Sequence, residues 1–182
     1  SGVQDVPGPE CVKPIIDKHL QTIPLNGSEI ELGFFGGSFT GIPLQMQEDY
    51  LKQATSYLEK GIIKGIRLST RPDFINVKIL DLLKSYGVST IELGAQSFDD
   101  TVLKHSGRGH TSKQIIEASE MIVDSGFQLG LQMMTGLPGD TREKTIYTAE
   151  SIVKYGASET RIYPVLVIKD TALETLYLTG KY

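Results

Sequence analysis

The side chains best suited to binding a small molecule occur in short polar runs, each directly after an apolar, β-rich run. Gly36, Gly37 and Ser38 follow the first such run, Ser69 follows the second, and Gln96 follows the third. Glycine lets a backbone amide approach a ligand closely, and hydroxyls and amides supply hydrogen-bond donors and acceptors. These residue types favour recognition of a small polar ligand.

The binding interpretation of these residues competes with structural ones. Gly36 and Gly37 could hold a carboxylate or an amine, or they could only form a tight strand-to-helix turn. Gln96 could meet a ligand or a neighbouring strand, because a buried glutamine needs hydrogen-bond partners from either source. Arg108 could pair with a carboxylate or remain a solvated surface residue. No P-loop or G-x-G-x-x-G pattern supports a nucleotide-phosphate site.

Metal sites and hydrolase triads have little support. His19, His105 and His110 lack metal-ligand spacing, so we expect them at the surface or at helix ends. Cys11 is the single cysteine, which excludes an internal disulfide and a metal site made of cysteines alone. Neither a Ser-His-Asp order nor a G-x-S-x-G run occurs. The sequence therefore predicts no metal ligand within this chain.

Composition indicates a globular protein. The 182 residues are 40% hydrophobic and 22% charged, which argues against a disordered chain. A net charge of −4 gives no overall attraction to nucleic acid. No apolar run approaches the ~20 residues of a membrane span, and no signal-peptide pattern opens the chain. We therefore expect a cytoplasmic protein without a membrane partner.

Helices and strands are predicted to alternate along the chain. Helix candidates end at glycines that suit the position just past a helix, namely Gly61, Gly87, Gly126 and Gly156. Apolar, β-rich runs predict strands near residues 29–35, 62–68, 88–93, 127–134 and 160–167. Helix starts are predicted at Asp73, at Asp99, at Thr111 with Gln114, and at Asp140 with Glu143.

This alternation predicts an α/β fold with a parallel sheet. The absence of a Rossmann glycine fingerprint favours a partial (β/α) barrel over an open, doubly wound sheet. A full barrel needs about 250 residues, so an arc of five or six strands is expected. Because the functional site of such folds lies at the carboxyl ends of the strands, the polar runs should meet at one mouth.

Several of these runs together resemble the radical S-adenosylmethionine (radical SAM) superfamily. Within it, the chain is most similar to the catalytic subunit of the Elongator complex and its bacterial relatives, and more distantly to oxygen-independent coproporphyrinogen III oxidase. The runs follow the family order over nearly the whole chain: FFGGSFTGIP at 34–43, STRPD at 69–73, IELGAQS at 91–97, RGHT at 108–111, GLPGDT at 136–141 and IYP at 162–164. The resemblance implies one radical SAM core domain over residues 1–182, a partial (β/α)6 TIM-like barrel.

The resemblance also implies a set of S-adenosylmethionine contacts. They are Gly36, Gly37, Ser38, Thr40, Ser69, Gln96, Arg108, Gln132 and Met134. Ser69 stands where the family often has an acidic contact, and Gln132 stands where the porphyrinogen enzymes often have Asp. Met134 would form a wall of the adenine pocket.

The largest departure from the family is the missing CxxxCxxC loop. Three thiolates of that loop bind a 4Fe-4S cluster and leave its fourth iron open for the methionine group, whereas this chain has Cys11 alone. We therefore expect an N-terminally truncated fragment that lacks the first barrel strand and the cluster loop. The cluster ligands would lie outside this chain, and the chain alone is expected to be inactive.

The function implied by the resemblance is that of an enzyme, an oxidoreductase or transferase that forms a 5′-deoxyadenosyl radical and abstracts hydrogen. The implied substrate is tRNA, for tRNA modification, or an acyl-CoA, and the implied reductant is ferredoxin or flavodoxin. Exposed sheet edges would also allow a homo-oligomer. Two alternatives stay open: an oxidase like coproporphyrinogen oxidase, and a non-catalytic SAM-binding or scaffold module.

Overall fold

The helices and strands alternate through most of the computed structural model, which describes residues 7–24 and 27–182. The strands are β1 (Glu31–Phe34), β2 (Gly65–Thr70), β3 (Val88–Gln96), β4 (Gln128–Thr135) and β5 (Glu159–Pro164). The helices are α1 (Val12–Leu20), α2 (Leu44–Glu59), α3 (Val77–Ser85), α4 (Asp100–His105), α5 (Ser112–Asp124), α6 (Arg142–Lys154) and α7 (Ala172–Leu178). Within the ranges that the structure describes, no helix is long and apolar enough to cross a membrane.

The strands form one parallel sheet whose spatial order is the chain order, β1-β2-β3-β4-β5. A doubly wound sheet reverses its strand order at a switch point, and this sheet has no reversal. Sequential parallel order is the order of a (β/α) barrel. The prediction of an α/β partial barrel is therefore confirmed, with five strands among the described residues.

The two faces of the sheet differ sharply in chemistry. Successive strand residues point to opposite faces, and one set is apolar and at most 1% exposed: Ile66, Leu68, Ile91, Leu93, Leu129 and Leu131. This convex face packs against the helices and forms the core. The alternate set lies on the concave face and is largely polar, including Arg67, Ser69, Glu92, Gln96 and Gln132. The concave face of the sheet is therefore largely polar, whereas its convex face is apolar.

The predicted helix ends are confirmed where local sequence decides them. Gly61, Gly87, Gly126 and Gly156 have φ between +67° and +83°, the left-handed backbone that glycine adopts after a helix. Thr111 and Gln114 form the predicted reciprocal capping box at the start of α5. Asp99 also caps α4 as predicted, because its side chain accepts from the Val102 amide.

Two predicted helix starts are wrong because their aspartates have other partners. The helix expected from Asp73 begins at Val77 and is capped by Asn76, since the Asp73 carboxylate pairs with Arg71. The capping box expected at Asp140 is replaced by a Thr141 cap. The Asp140 side chain instead accepts from backbone amides of its own loop and from the Thr145 hydroxyl.

Candidate functional site

A cavity of about 340 Å³ lies at the carboxyl ends of the strands. Its volume falls at the lower end of the range for small-molecule sites, about 300–1,000 Å³. The lining comes from the loops after β1 and β2, from β3 and β4, and from the loop between α4 and α5: Gly37, Ser38, Arg71, Gly94, Gln96, Ser106, Gly107, Arg108, His110 and Gln132. The polar runs that the sequence predicted at the carboxyl ends of the strands thus line one cavity.

The lining includes a subset of the predicted contacts, namely Gly37, Ser38, Gln96, Arg108 and Gln132. Two other predicted residues touch this lining from outside the cavity. The Ser69 hydroxyl donates to the Gly37 carbonyl oxygen at 3.4 Å. Met134 Sδ lies 2.7 Å from Nη2 of Arg108. These two residues can hold the lining in place, whereas the ligand contacts implied for them stay predictions.

The remaining predicted residues, Gly36 and Thr40, do not line the cavity. Gly36 has φ of +107°, so it forms the turn that presents Gly37. Thr40 is buried, and its hydroxyl lies 2.6 Å from the hydroxyl of Thr70. Thr40 therefore connects the loop after β1 to the end of β2.

Gln96 has an unusual backbone and an unsatisfied side chain. Its φ is +68°, a left-handed conformation that costs a non-glycine residue free energy. Its Oε1 is buried and has no hydrogen-bond partner. A Cβ on Gly94 would lie 2.9 Å from Nε2 of Gln96, so a side chain at position 94 would displace this amide. The arrangement leaves a buried acceptor that a ligand N–H or O–H would satisfy.

Arg108 brings an uncompensated positive charge to the cavity. Gly107 and Gly109 flank it with φ of +63° and +74°, which bend the loop inward. Its Nε is buried without a partner. Burial lowers the pKa of the Arg108 guanidinium from its ordinary value, and the nearby charge of Arg71 lowers it further. The cavity therefore holds a cation that lacks a protein anion.

The second arginine of the cavity, Arg71, is already paired. Its Nε and Nη2 donate to the two carboxylate oxygens of Asp73, each at 2.9 Å. Its guanidinium also lies 5.5 Å over the Phe74 ring. A Cβ on Gly109 would be 3.1 Å from Arg71 Nη2, so this arginine packs directly beneath the Arg108 loop. Since the lining contains no Asp or Glu, the cavity suits a ligand that carries a carboxylate.

His110 is buried, which corrects the expectation of a surface or capping histidine. Its Nε2 lies 3.2 Å from the Ala95 carbonyl oxygen, so Nε2 is the protonated nitrogen. Its Nδ1 is buried without a partner. Burial lowers the pKa of His110 from its ordinary value near 6.5, despite the favourable bond to Ala95.

We expect His110 to make folding stability depend on pH below neutrality. A lowered folded-state pKa means that the unfolded chain binds the proton more readily, so the stabilisation is present above about pH 6.5 and is lost as the pH falls. Thermal unfolding between pH 7.5 and 5 should show a steeper fall in Tm for the wild type than for His110→Gln. Parallel curves for the two proteins would contradict this expectation.

The structure adds two residues to the set of predicted contacts. Arg71 lines the cavity, and its position directly after a predicted strand end was the available signal. Glu92 lies beneath the cavity, bonded to Gln132, and it shares its strand face with Gln96. Among the residues that the structure describes, no group of three or more His, Cys, Asp or Glu side chains could hold a metal ion.

The fold and the site together define a partial parallel barrel with a small-molecule cavity at the carboxyl ends of its strands. Residues 16–152 match the Radical SAM superfamily. The chain therefore belongs to that superfamily.

Similar proteins support this assignment. The chain is 29% identical over 183 residues to Elongator complex protein 3 of Dictyostelium discoideum, covering 90% of this chain and 33% of that protein. It thus spans about a third of the length of the curated relatives that it matches. The structure of an archaeal Elp3 from Methanocaldococcus infernus superposes with a TM-score of 0.79 at 26% identity, covering 94% of this chain and 45% of that one. Coproporphyrinogen III oxidase from Escherichia coli shares the fold, with a TM-score of 0.65 at 17% identity over 94% of this chain and 45% of that chain.

Proposed function

We propose that this chain is the S-adenosylmethionine-binding part of a radical SAM enzyme related to Elongator complex protein 3. The observation that carries the proposal is a pair of unsatisfied groups in one cavity: Gln96 Oε1, which needs a donor, and the Arg108 guanidinium, which needs an anion. An amino-acid moiety with a carboxylate, joined to a sugar with hydroxyls, supplies both. S-adenosylmethionine has that composition.

Four residues of the lining have distinct parts in this proposal. Arg108 would bind the carboxylate, and the backbone of Gly37 and Ser38 would border the amino-acid end. Gln96 would accept a hydrogen bond from the ligand. Together with a reduced 4Fe-4S cluster, the bound cofactor would supply a 5′-deoxyadenosyl radical for hydrogen abstraction.

The cysteine content of the chain does not fit such a cluster. A site-differentiated 4Fe-4S cluster takes three thiolates, and the sequence holds only Cys11. We therefore derive no cluster chemistry from these residues and propose that the ligands lie outside them. Iron and sulfide analysis after anaerobic reconstitution should find no stoichiometric cluster, and finding one would overturn this part of the proposal.

A β-branched residue at position 37 should abolish most of the ligand binding. Gly37 lines the cavity, and a Cβ built there meets no protein atom within 4 Å. Gly37→Val should therefore fold normally but fill space that the ligand needs, lowering S-adenosylhomocysteine affinity about 10-fold or more in calorimetric titration. Gly37→Ala should have a smaller effect, and Val153→Ala, at an exposed position of α6, should leave affinity unchanged. Equal affinity of Gly37→Val and wild type would argue against the cavity as the cofactor site.

For the substrate, we propose tRNA or an acyl-CoA, on the basis of the relationship to Elongator complex protein 3. A ferredoxin or flavodoxin would serve as the reductant. A homo-oligomer through the edge of the sheet is also proposed, because Ile162 and Tyr163 of β5 are exposed apolar residues. The cytoplasmic location expected from the sequence stays a prediction.

A second candidate, a non-catalytic SAM-binding or scaffold module, is favoured by one observation, the single cysteine. The two candidates predict the same cofactor binding but different chemistry. Supplying the chain with a separate polypeptide that carries a CxxxCxxC cluster loop distinguishes them. Release of 5′-deoxyadenosine from S-adenosylmethionine would support the enzyme, and its absence in a complex with a loaded cluster would support the module.

A further inference from the structure

A buried carboxylate lies directly beneath the cavity, on the concave face of β3. The Glu92 side chain is 1% exposed. Its Oε1 accepts from Arg67 Nε at 3.0 Å and Nη2 at 2.7 Å, and from Arg161 Nη2 at 3.1 Å. Its Oε2 accepts from Gln132 Nε2 at 3.0 Å. Every contact of this carboxylate is therefore one in which Glu92 accepts.

The bond to Gln132 fixes which end of that amide faces the ligand space. A carboxylate between two guanidinium groups accepts hydrogen bonds, so it must face the Gln132 NH2 group. Gln132 lines the cavity, and no hydrogen bond from the described residues engages its Oε1. The carbonyl end of Gln132 is therefore the end left for a ligand.

We propose that Glu92 is a positioning residue that sets the hydrogen-bond polarity of the cavity by holding Gln132 with its carbonyl oxygen toward the ligand. The ligand group that Gln132 contacts is then a donor, a hydroxyl or an N–H. Gln96 Oε1 is a second acceptor in the same cavity. The two amides thus select a ligand with at least two donor groups. This inference rests on the proposed function only for the identity of the ligand.

The substitution Glu92→Gln tests this role because its outcome is fixed by the arginines. Arg67 and Arg161 only donate, so they require the carbonyl oxygen of the new glutamine. The NH2 of that side chain must then face residue 132. Gln132 would have to turn its own oxygen toward the new side chain at position 92 and present its NH2 group to the cavity. The cavity would then have a donor where the wild type has an acceptor.

Exchanging the two residues should restore the original polarity. In the double variant Glu92→Gln/Gln132→Glu, the new glutamine donates to one oxygen of Glu at position 132. The other carboxylate oxygen remains an acceptor toward the cavity, and the formal charge of the pair is unchanged. Because that charge then lies in the cavity lining and would repel a ligand carboxylate, the recovery is measured with adenosine, which has donor groups but no carboxylate. A purely structural role for Glu92 predicts no such recovery, because both variants lose the buried carboxylate at position 92.

The experiment is calorimetric titration of the whole chain with S-adenosylhomocysteine. Glu92→Gln should bind both S-adenosylhomocysteine and adenosine about 10-fold more weakly or worse, because a ligand donor then meets a protein donor. Titration with adenosine should show that the double variant recovers most of that loss. Glu31→Gln is the matched control, since Glu31 also contacts Arg67 but does not contact Gln132, and its affinity should equal that of the wild type. Wild-type affinity in Glu92→Gln, or a double variant that binds adenosine no better than the single one, would overturn the proposal.

A ligand-free measurement separates this inference from the proposed function. In the wild type, one side-chain amide proton of Gln132 donates to Glu92 and should exchange slowly with water in NMR spectra. In Glu92→Gln the amide should turn to the cavity and lose that protection. Such a change in a chain that does not bind S-adenosylhomocysteine would support the positioning role while refuting the proposed function. An unchanged Gln132 amide would refute the positioning role itself.

Discussion

Replacing Arg108 by methionine should weaken S-adenosylhomocysteine binding about 10–150-fold while leaving the fold as stable as the wild type or more so. Hydrogen bonds to charged groups contribute about 1.5–3 kcal/mol, and each 1.4 kcal/mol is a factor of ten in affinity. Arg108 is the cavity cation without a protein anion, because Arg71 is held by Asp73. Its loss should therefore act on the ligand carboxylate alone.

The expected stability separates a binding arginine from a structural one. Arg108 Nε is buried and unpartnered, so folding leaves this charge uncompensated at a cost in free energy. Methionine keeps most of the apolar stem and removes the charge. Urea unfolding should thus give Arg108→Met a free energy of unfolding equal to or above that of the wild type.

Two controls make the Arg108 prediction specific. Adenosine lacks the carboxylate, so its affinity should be the same for Arg108→Met and the wild type. Arg142→Met removes an exposed arginine at the start of α6 and should change neither affinity nor stability. An equal loss of adenosine and S-adenosylhomocysteine binding, or a large fall in stability, would mean that Arg108 shapes the loop instead of binding a carboxylate.

The sequence predicts the fold well because the decisive signals are local. A glycine just past a helix needs only its own left-handed backbone, so Gly61, Gly87, Gly126 and Gly156 mark helix ends without knowledge of the tertiary structure. The alternation of these helices with apolar, β-rich runs then predicts a parallel sheet. Since the carboxyl ends of its strands meet at one edge, Gly37, Gln96 and Gln132 gather around one cavity even though they are far apart in the chain.

Predictions fail where one side chain has two possible partners. Asp73 is a residue type that caps helices and lies at a suitable position, but its carboxylate forms a bidentate salt bridge with the Arg71 guanidinium. His110 lies in a polar, glycine-rich segment that is typical of a surface loop, but the fold packs its ring against the Ala95 carbonyl. The partner of His110 is chosen by the packing of loops, which the local sequence does not encode. The partner of Asp73 is local, and there the ion pair forms in place of the helix cap.

The concave face shows the same limit for charged residues. Glu92, Arg67 and Arg161 occur singly on three different strands, and none belongs to a charge run or a known spacing. Only the curvature and register of the sheet bring them together. Their sequence signal is the parity of Glu92 with Gln96 on one strand, which indicates a shared face but not its partners.

Replacing Glu92 by leucine should lower the free energy of unfolding by about 3–5 kcal/mol. Removing one partner of a buried ion pair typically costs this much where the other charge is left uncompensated. Arg67 keeps contacts to Glu31 and Glu159, but these side chains are 40% and 39% exposed, so water screens both pairs and they compensate the guanidinium only in part. Here the affected charges are Arg67, whose side chain is 17% exposed, and the more open Arg161. Gln132 also loses its acceptor. Thermal unfolding should show a Tm about 6–20 °C below that of the wild type.

The neighbouring acids supply the matched comparison for Glu92→Leu. Glu31 contacts the same arginine at 3.1 Å, but its side chain is 40% exposed, so Glu31→Leu should cost less than about 1 kcal/mol. Removing the arginine as well, in Glu92→Leu/Arg67→Met, should recover part of the lost stability, because the double variant no longer buries the charge of the Arg67 guanidinium without the Glu92 carboxylate. That recovery would show that the loss arises from an uncompensated charge. A loss below about 1 kcal/mol in Glu92→Leu would instead mean that water or Glu159 already compensates the charge of Arg67. Glu92 and its arginine partners would then set the hydrogen-bond polarity of the cavity without contributing to stability.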